Sequence, residues 1–220
     1  MIALAPTSYL ARLMKANVGV GRGDLAGAQA AVRAAVAGTD SAVLVVFASE
    51  DPTYWMLDDE QQRHVLTLPP SAFDDDRAVW GMARAQIYHL RGNGTLARVY
   101  ADSTRLALET QLREAPENVQ LIGMLGVALA YLGRTTEGVR EGLRGVALMP
   151  VSRDIQLGNY LQYQLARIYV VAGQPERALD QLEPLLRKPS SYSPGGLRIN
   201  PDLAPLRGNP RFERLTAPTN

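Results

Sequence analysis

Cysteine is absent from this chain of 220 residues, and histidine occurs only 2 times. The first absence excludes disulfides, thiolate metal ligation, iron–sulfur clusters and thiol catalysis, and it leaves the compartment open. Aromatic residues make up only 6% of the chain, with 3 Phe and 2 Trp. That scarcity disfavours a sandwich or barrel and suits thin, closely packed helices rich in Ala and Leu. An excess of charge of either sign is also lacking. The formal net charge is +1, which gives no general attraction to nucleic acid. The longest apolar run, Ala42 to Ala48, is too short to cross a bilayer, and no basic segment precedes an apolar one at the start. Neither a nucleic-acid partner nor a membrane segment is expected.

What the chain does contain is a recurring phrase. Gly23-Asp24-Leu25 is followed by Ala28, Gly133-Arg134 by Gly138, and Gly173-Gln174-Pro175 by Ala178. Each places a Gly after an apolar helical run and a small residue five positions later. This pattern resembles the helix-turn-helix unit of the tetratricopeptide repeat (TPR) family, about 34 residues long, in which small residues let two antiparallel helices approach closely. The resemblance implies an all-α fold, a right-handed TPR superhelix of antiparallel helix pairs.

With Gly at unit position 15 and small residues at positions 8, 20 and 27, one unit starts at Tyr9 and carries Ala16, Gly23, Ala28 and Ala35. Others start at Ala78 (Ala85, Gly92, Ala97, Thr104), Val119 (Gly126, Gly133, Gly138, Gly145) and Asn159 (Ala166, Gly173, Ala178, Leu185). Gly23 and Gly92 lie 69 residues apart, two repeat lengths, so a degenerate hairpin should fill the gap. Its first helix is expected over Ser41 to Glu50 and its second over roughly Asp58 to Leu68. Asp51 to Trp55 serve as linker in place of the Gly turn. Val43 to Phe47 also fits a buried strand, but a lone strand would have no partner in this sequence.

The expected organisation is thus residues 1–8 as the tail of a missing upstream repeat, then units over 9–40, 41–74 (degenerate), 75–115, 116–150 and 151–188, and a loop and capping segment over 189–220. The first of these rests on Ile2 to Pro6 matching Val146 to Pro150, the end of a second helix. The stretch from Pro189 to Gly196 reads as a loop. Asn200-Pro201 and Asn209-Pro210 then read as helix starts, with Leu203, Leu206, Phe212 and Leu215 turned inward as short C-terminal capping helices.

The segment Gly173-Gln174-Pro175-Glu176-Arg177-Ala178-Leu179-Asp180, followed by Leu203-Ala204-Pro205-Leu206-Arg207-Gly208-Asn209-Pro210-Arg211-Phe212, resembles the C-terminal TPR region of large bacterial multidomain signalling proteins, including TPR-bearing serine/threonine protein kinases. The likeness favours a bacterial cytoplasmic setting, or an extracytoplasmic one if the parent protein carries an upstream transmembrane helix. No kinase Gly-rich loop or catalytic-loop motif occurs in these residues, so no enzymatic activity is expected of them.

His64 and His89 lack metal-ligand spacing, and no metal or cofactor is expected. His89 sits late in a first helix, where the helix C-terminus should favour its charged form. Asp74 to Asp76 read as capping and first-turn residues.

A protein or peptide partner is the function class that remains. The resemblance implies that first-helix positions 2, 5, 9, 12 and 13 line the concave face, and helical spacing puts most of them on one face. The candidate contact residues are Asn17, Gln86, His89, Tyr131, Tyr160, Tyr163 and Arg167. The tyrosines and Arg167 favour the last groove, since Tyr offers a rigid amphipathic body and Arg a planar donor fork. The same tyrosines also suit internal packing against the cap. No unit has Lys or Arg at position 5, which disfavours a terminal carboxylate as ligand. Weak self-association through an exposed N-terminal repeat end is the alternative. Charge is uneven: eight acids oppose Arg63 from Glu50 to Asp76, and six bases oppose Asp202 and Glu213 from Arg187 to Arg214.

Overall fold

The computed structural model describes residues 9–36, 41–49, 53–187 and 191–217, with side chains of the first helix from residue 13 onward. The described residues contain helices and no strand. Helices α1 (Tyr9–Gly21) and α2 (Leu25–Val36) form the first hairpin. A looser pair follows, α3 (Ser41–Ser49) with α4 (Asp59–Val65), and then α5 (Arg77–Leu90) with α6 (Gly94–Glu114). The last two hairpins are α7 (Val119–Tyr131) with α8 (Thr135–Leu148) and α9 (Ile155–Val171) with α10 (Pro175–Arg187). Since α6 packs on α7 and α8 on α9, consecutive hairpins stack into a helical-repeat solenoid.

The turn glycines behave as the repeat frame requires. Gly23, Gly92, Gly133 and Gly173 have φ of +77°, +73°, +83° and +68°, a region that glycine enters without a Cβ penalty. The small positions act differently, by letting backbones meet. A Cβ added to Gly138 would lie 2.7 Å from the Gly126 carbonyl oxygen, so α7 and α8 touch through bare backbone. Gly138→Val should therefore lower stability by about 1–3 kcal/mol through overpacking. Gly133→Asn should be far milder, because nothing lies within 4 Å of a Cβ there and Asn tolerates left-handed φ. Thermal melting of the two variants checks the order.

The Val43 to Phe47 run is helical, and it buries Leu44, Phe47 and Ala48. Residues 1–8, expected to be the tail of a missing repeat, lie outside the described residues.

Three local expectations need correction. Of the linker expected over Asp51 to Trp55, residues 51 and 52 lie outside the described residues, and Tyr54 and Trp55 are not a plain connection but a 3-10 turn with Met56, buried with Leu57 at 0–3% exposure. Four consecutive large apolar residues have too much surface to leave in water. Pro194 to Gly196 do not continue a loop. They open α11 (Pro194–Ile199), with Ser193 as N-cap and Pro at the first helical turn. Gly195 is there for a close approach, since a Cβ on it would meet Gly23 N at 2.8 Å. Finally, Asp76 alone caps α5, accepting from the backbone N–H groups of Ala78 and Val79. Asp74 and Asp75 precede the helix in left-handed conformation, with φ of 53° and 58°.

The C-terminal segment closes the stack. Ser193 Oγ donates to the Gly21 carbonyl at 2.8 Å, and Ile199 packs against the N-terminal core. A 3-10 turn (Pro201–Leu206) and α12 (Pro210–Leu215) follow, capped by Asn200 and Asn209. Leu203, Leu206 and Phe212 are buried against Leu179, Leu182 and Leu185, with Leu215 packed beside them. Arg211 ties α12 to α10 through Glu183, Asp180 and Glu176.

Candidate functional site

The first helices α5, α7 and α9 share one face, and Arg167 is its centre. Helix axes pack roughly 8–10 Å apart. Side chains on α5 and α9, with α7 between them, meet only where the stack curls inward. They do meet: Arg167 Nη2 donates to Gln86 Oε1 at 2.8 Å and to the Tyr131 hydroxyl at 3.1 Å. One turn back on α9, Gln164 Oε1 accepts from Arg167 Nη1 at 2.9 Å. The sequence-predicted residues Gln86, Tyr131 and Arg167 are thus brought to one point, drawn from three successive hairpins.

Two further segments enter this face. Arg167 Nε pairs with Asp202 Oδ2 at 2.9 Å, and both side chains are buried, at 4% and 7% exposure. Tyr54 donates its hydroxyl proton to Asp202 Oδ1 and lies within 3.4 Å of Arg167 Nη2, its ring 5.8 Å from the guanidinium carbon. Turns from residues 54–57 and 201–206 therefore occupy the inner face of the stack.

The other candidates divide around this cluster. His89 lies at its edge, the residue partly open to solvent while its ring packs at a tilt of 34° against Tyr131, ring centroids 4.6 Å apart. His89, Tyr131, Arg167 and Asp202 line a cavity of about 10 Å³, the space of a single water molecule. Tyr160 is half-buried and borders a second small cavity with Gln86, Gln164 and Arg167. Tyr163 is buried, its hydroxyl accepting from Asn200 Nδ2 and its ring stacked on Tyr192 at 4.8 Å. Asn17 is exposed on α1 and belongs to neither cluster.

Burial pushes the His89 imidazole below its usual range. The Asp202 carboxylate opposes that shift and the Arg167 guanidinium adds to it. The direction is opposite to the one expected from the helix terminus, and loss of water is its largest cause. A folded value below the unfolded one means that the unfolded chain binds more protons between the two. The contribution is present above the ordinary value of 6.5 and is lost as pH falls through the lower folded value. Stability of the wild type should accordingly drop between pH 7 and 5 by more than that of His89→Gln, read as melting temperature against pH.

Tyr54, Gln164 and Asp202 were missed from sequence. Gln164 carried a usable signal, being one helical turn from Arg167 on the same face. Asp202 stood out only as one of two acids in a basic stretch.

One other polar pair merits description. Ser41 Oγ and His64 Nε2 are 3.0 Å apart in an open groove of about 580 Å³ that Arg33, Asp58 and Arg63 also line. Among the described residues no carboxylate is hydrogen-bonded to His64, so the orienting third group of a nucleophilic triad is not in place. Nor do the described residues contain a cluster of three His, Asp or Glu placed to hold a metal ion. None of their helices is long and apolar enough to cross a membrane.

Comparison of the chain with protein-family models and with curated proteins gives no match.

Proposed function

We propose that this chain is a TPR-type repeat array acting as a non-catalytic protein-interaction module, the scaffold or sensory part of a larger bacterial signalling protein. The observation that carries the reading is the convergence of Gln86, Tyr131 and Arg167, from three hairpins, on one inner face. Stacked first helices are how a solenoid builds a partner-facing groove; here Gln86, Tyr131 and Arg167 form its buried floor, and His89 and Tyr160 stand at its accessible rim. The in-frame glycines support the TPR assignment.

The test uses the accessible rim, because replacing buried Tyr163 or Arg167 would confound binding with folding. A partner is captured from the native organism, purified, and titrated against wild type and a His89→Ala/Tyr160→Ala double variant whose melting is checked first. A loss of affinity of tenfold or more is expected. An unchanged affinity would place the partner elsewhere and end the inner-face reading.

Self-association is the second reading, favoured by Met14 and Val18, which lie one turn apart on α1 at 48% and 52% exposure. Sedimentation equilibrium of wild type against Met14→Lys/Val18→Glu reads it. A concentration-dependent dimer that the double change abolishes supports this reading, and a strict monomer removes it.

A further inference from the structure

Two hydrogen-bonding groups on the inner face are left unmatched by the chain itself, and they border one cavity. It measures about 30 Å³ and lies where α3, α5, α7 and α9 converge, with Ser49, Met82, Gln86, Met124 and Tyr160 among its walls. Ser49 Oγ, on the last residue of α3, is buried without a hydrogen-bond partner. Gln86 is 3% exposed, and its carbonyl oxygen accepts from Arg167 Nη2. The oxygen and nitrogen of a planar amide point apart, so the Gln86 nitrogen is turned away from Arg167, and no described residue accepts from it. Buried polar groups without partners are uncommon, because their hydrogen bonds to water are lost and not replaced. We infer that this cavity is a subsite for the side-chain carboxamide of an Asn or Gln on the protein partner.

The interaction-module reading is the premise, and the partner's chemistry is what is added to it. Size, polarity and charge each select a carboxamide. The cavity has about the volume that one water molecule takes up in the liquid, so only the tip of a side chain enters. A primary amide both accepts and donates: its oxygen takes the Gln86 Nε2 proton, and its amino group donates to Ser49 Oγ. The polarizable, adaptable side chains of Met82 and Met124 pack on its flat faces. A charged tip is disfavoured. Arg167, which also borders the cavity, already pairs with Asp202 at 2.9 Å, and burying a second ion there costs more than burying a neutral amide.

The 6 methionines supply the reporters. The full chain, labelled with carbon-13 at its methionine methyls, is titrated at equal ionic strength with four probes. Acetamide accepts and donates, acetone only accepts, sodium acetate is charged, and N-methylacetamide stands for a main-chain amide. Acetamide and acetone should shift the Met82 and Met124 methyl resonances in a saturable manner and leave Met14 and Met149 in place. Acetate and N-methylacetamide should each bind at least fivefold more weakly than acetamide. Ser49→Ala should weaken acetamide about three- to tenfold and leave acetone unchanged, because only acetamide has a proton for the serine oxygen. Gln86→Glu keeps an oxygen for Arg167 and removes the donor, so acetone should lose at least fivefold in affinity.

No saturable shift at Met82 or Met124, or equal responses of acetamide and acetone to Ser49→Ala, overturns the subsite. Acetate bound as tightly as acetamide assigns the cavity to an acidic group, and N-methylacetamide bound as tightly assigns it to a peptide backbone; either result overturns the carboxamide. If Gln86→Glu does not fold, the Ser49 arm decides alone. The interaction-module reading fails separately. A captured partner whose affinity ignores the His89 and Tyr160 changes would remove the inner-face role and leave the acetamide titration as it stands.

Discussion

Asp202→Ala should lower the stability of this protein by about 3–5 kcal/mol, because it removes a buried carboxylate that pairs with the Arg167 guanidinium and accepts the Tyr54 hydroxyl proton. For a chain of this size that is a fall of roughly 10 °C in melting temperature. The effect far exceeds what an exposed ion pair gives, about 0–1 kcal/mol. Contrast with Arg63 and Asp59 makes the point: both are more than half exposed, and losing either should be barely measurable. A double-mutant cycle of Asp202→Ala with Arg167→Met should return a coupling of about 0.5–3 kcal/mol, since the two changes remove one interaction. Additive effects in that cycle would mean that the pair does not act as a unit.

Phe212→Ala should be as severe, about 3–5 kcal/mol, although no charge is involved. Phe212 is 1% exposed and lies among Leu179, Leu182, Leu203 and Leu206, where truncation leaves a cavity that the short α12 cannot collapse into. The neighbouring Arg211 offers a control. Its three carboxylates, Glu183 foremost, hold its guanidinium well above the ordinary range, yet Glu176 and Asp180 are 64% and 59% exposed. Arg211→Ala should therefore cost far less than Phe212→Ala in urea unfolding. The reverse order would mean that charge, and not apolar burial, fastens the cap.

The parts of this fold legible in the sequence are those that repeat locally. Gly133 and Gly138 announce a hairpin because a left-handed turn and a backbone contact each need glycine at a fixed offset. Asn209-Pro210 announces a helix start because cap and first-turn chemistry sit on adjacent residues. The inner-face partners of Arg167 were half legible: Gln86 and Tyr131 share its repeat frame, whereas Tyr54 and Asp202 do not. Tyr54 and Asp202 are 148 positions apart, and no periodicity links a turn in a degenerate hairpin to a turn in a cap. Helix α11 was hidden for a related reason. Its glycines look like loop punctuation until Gly23 is found against Gly195. The environment of His89 likewise depends on Asp202 and Arg167 arriving from distant segments.

The claim on which the rest depends is that the C-terminal segment crosses the inner face and closes on the first hairpin. The absence of cysteine allows a clean measurement. A Cβ at position 21 would lie 3.9 Å from Ser193 Oγ, so side chains at these two positions meet across the closure. In the double variant Gly21→Cys/Ser193→Cys, air oxidation should form an intramolecular disulfide in the folded monomer, seen as loss of both titratable thiols and faster non-reducing electrophoretic migration. Two thiols that remain free in the folded protein, or crosslinks only between molecules, would contradict the closed arrangement.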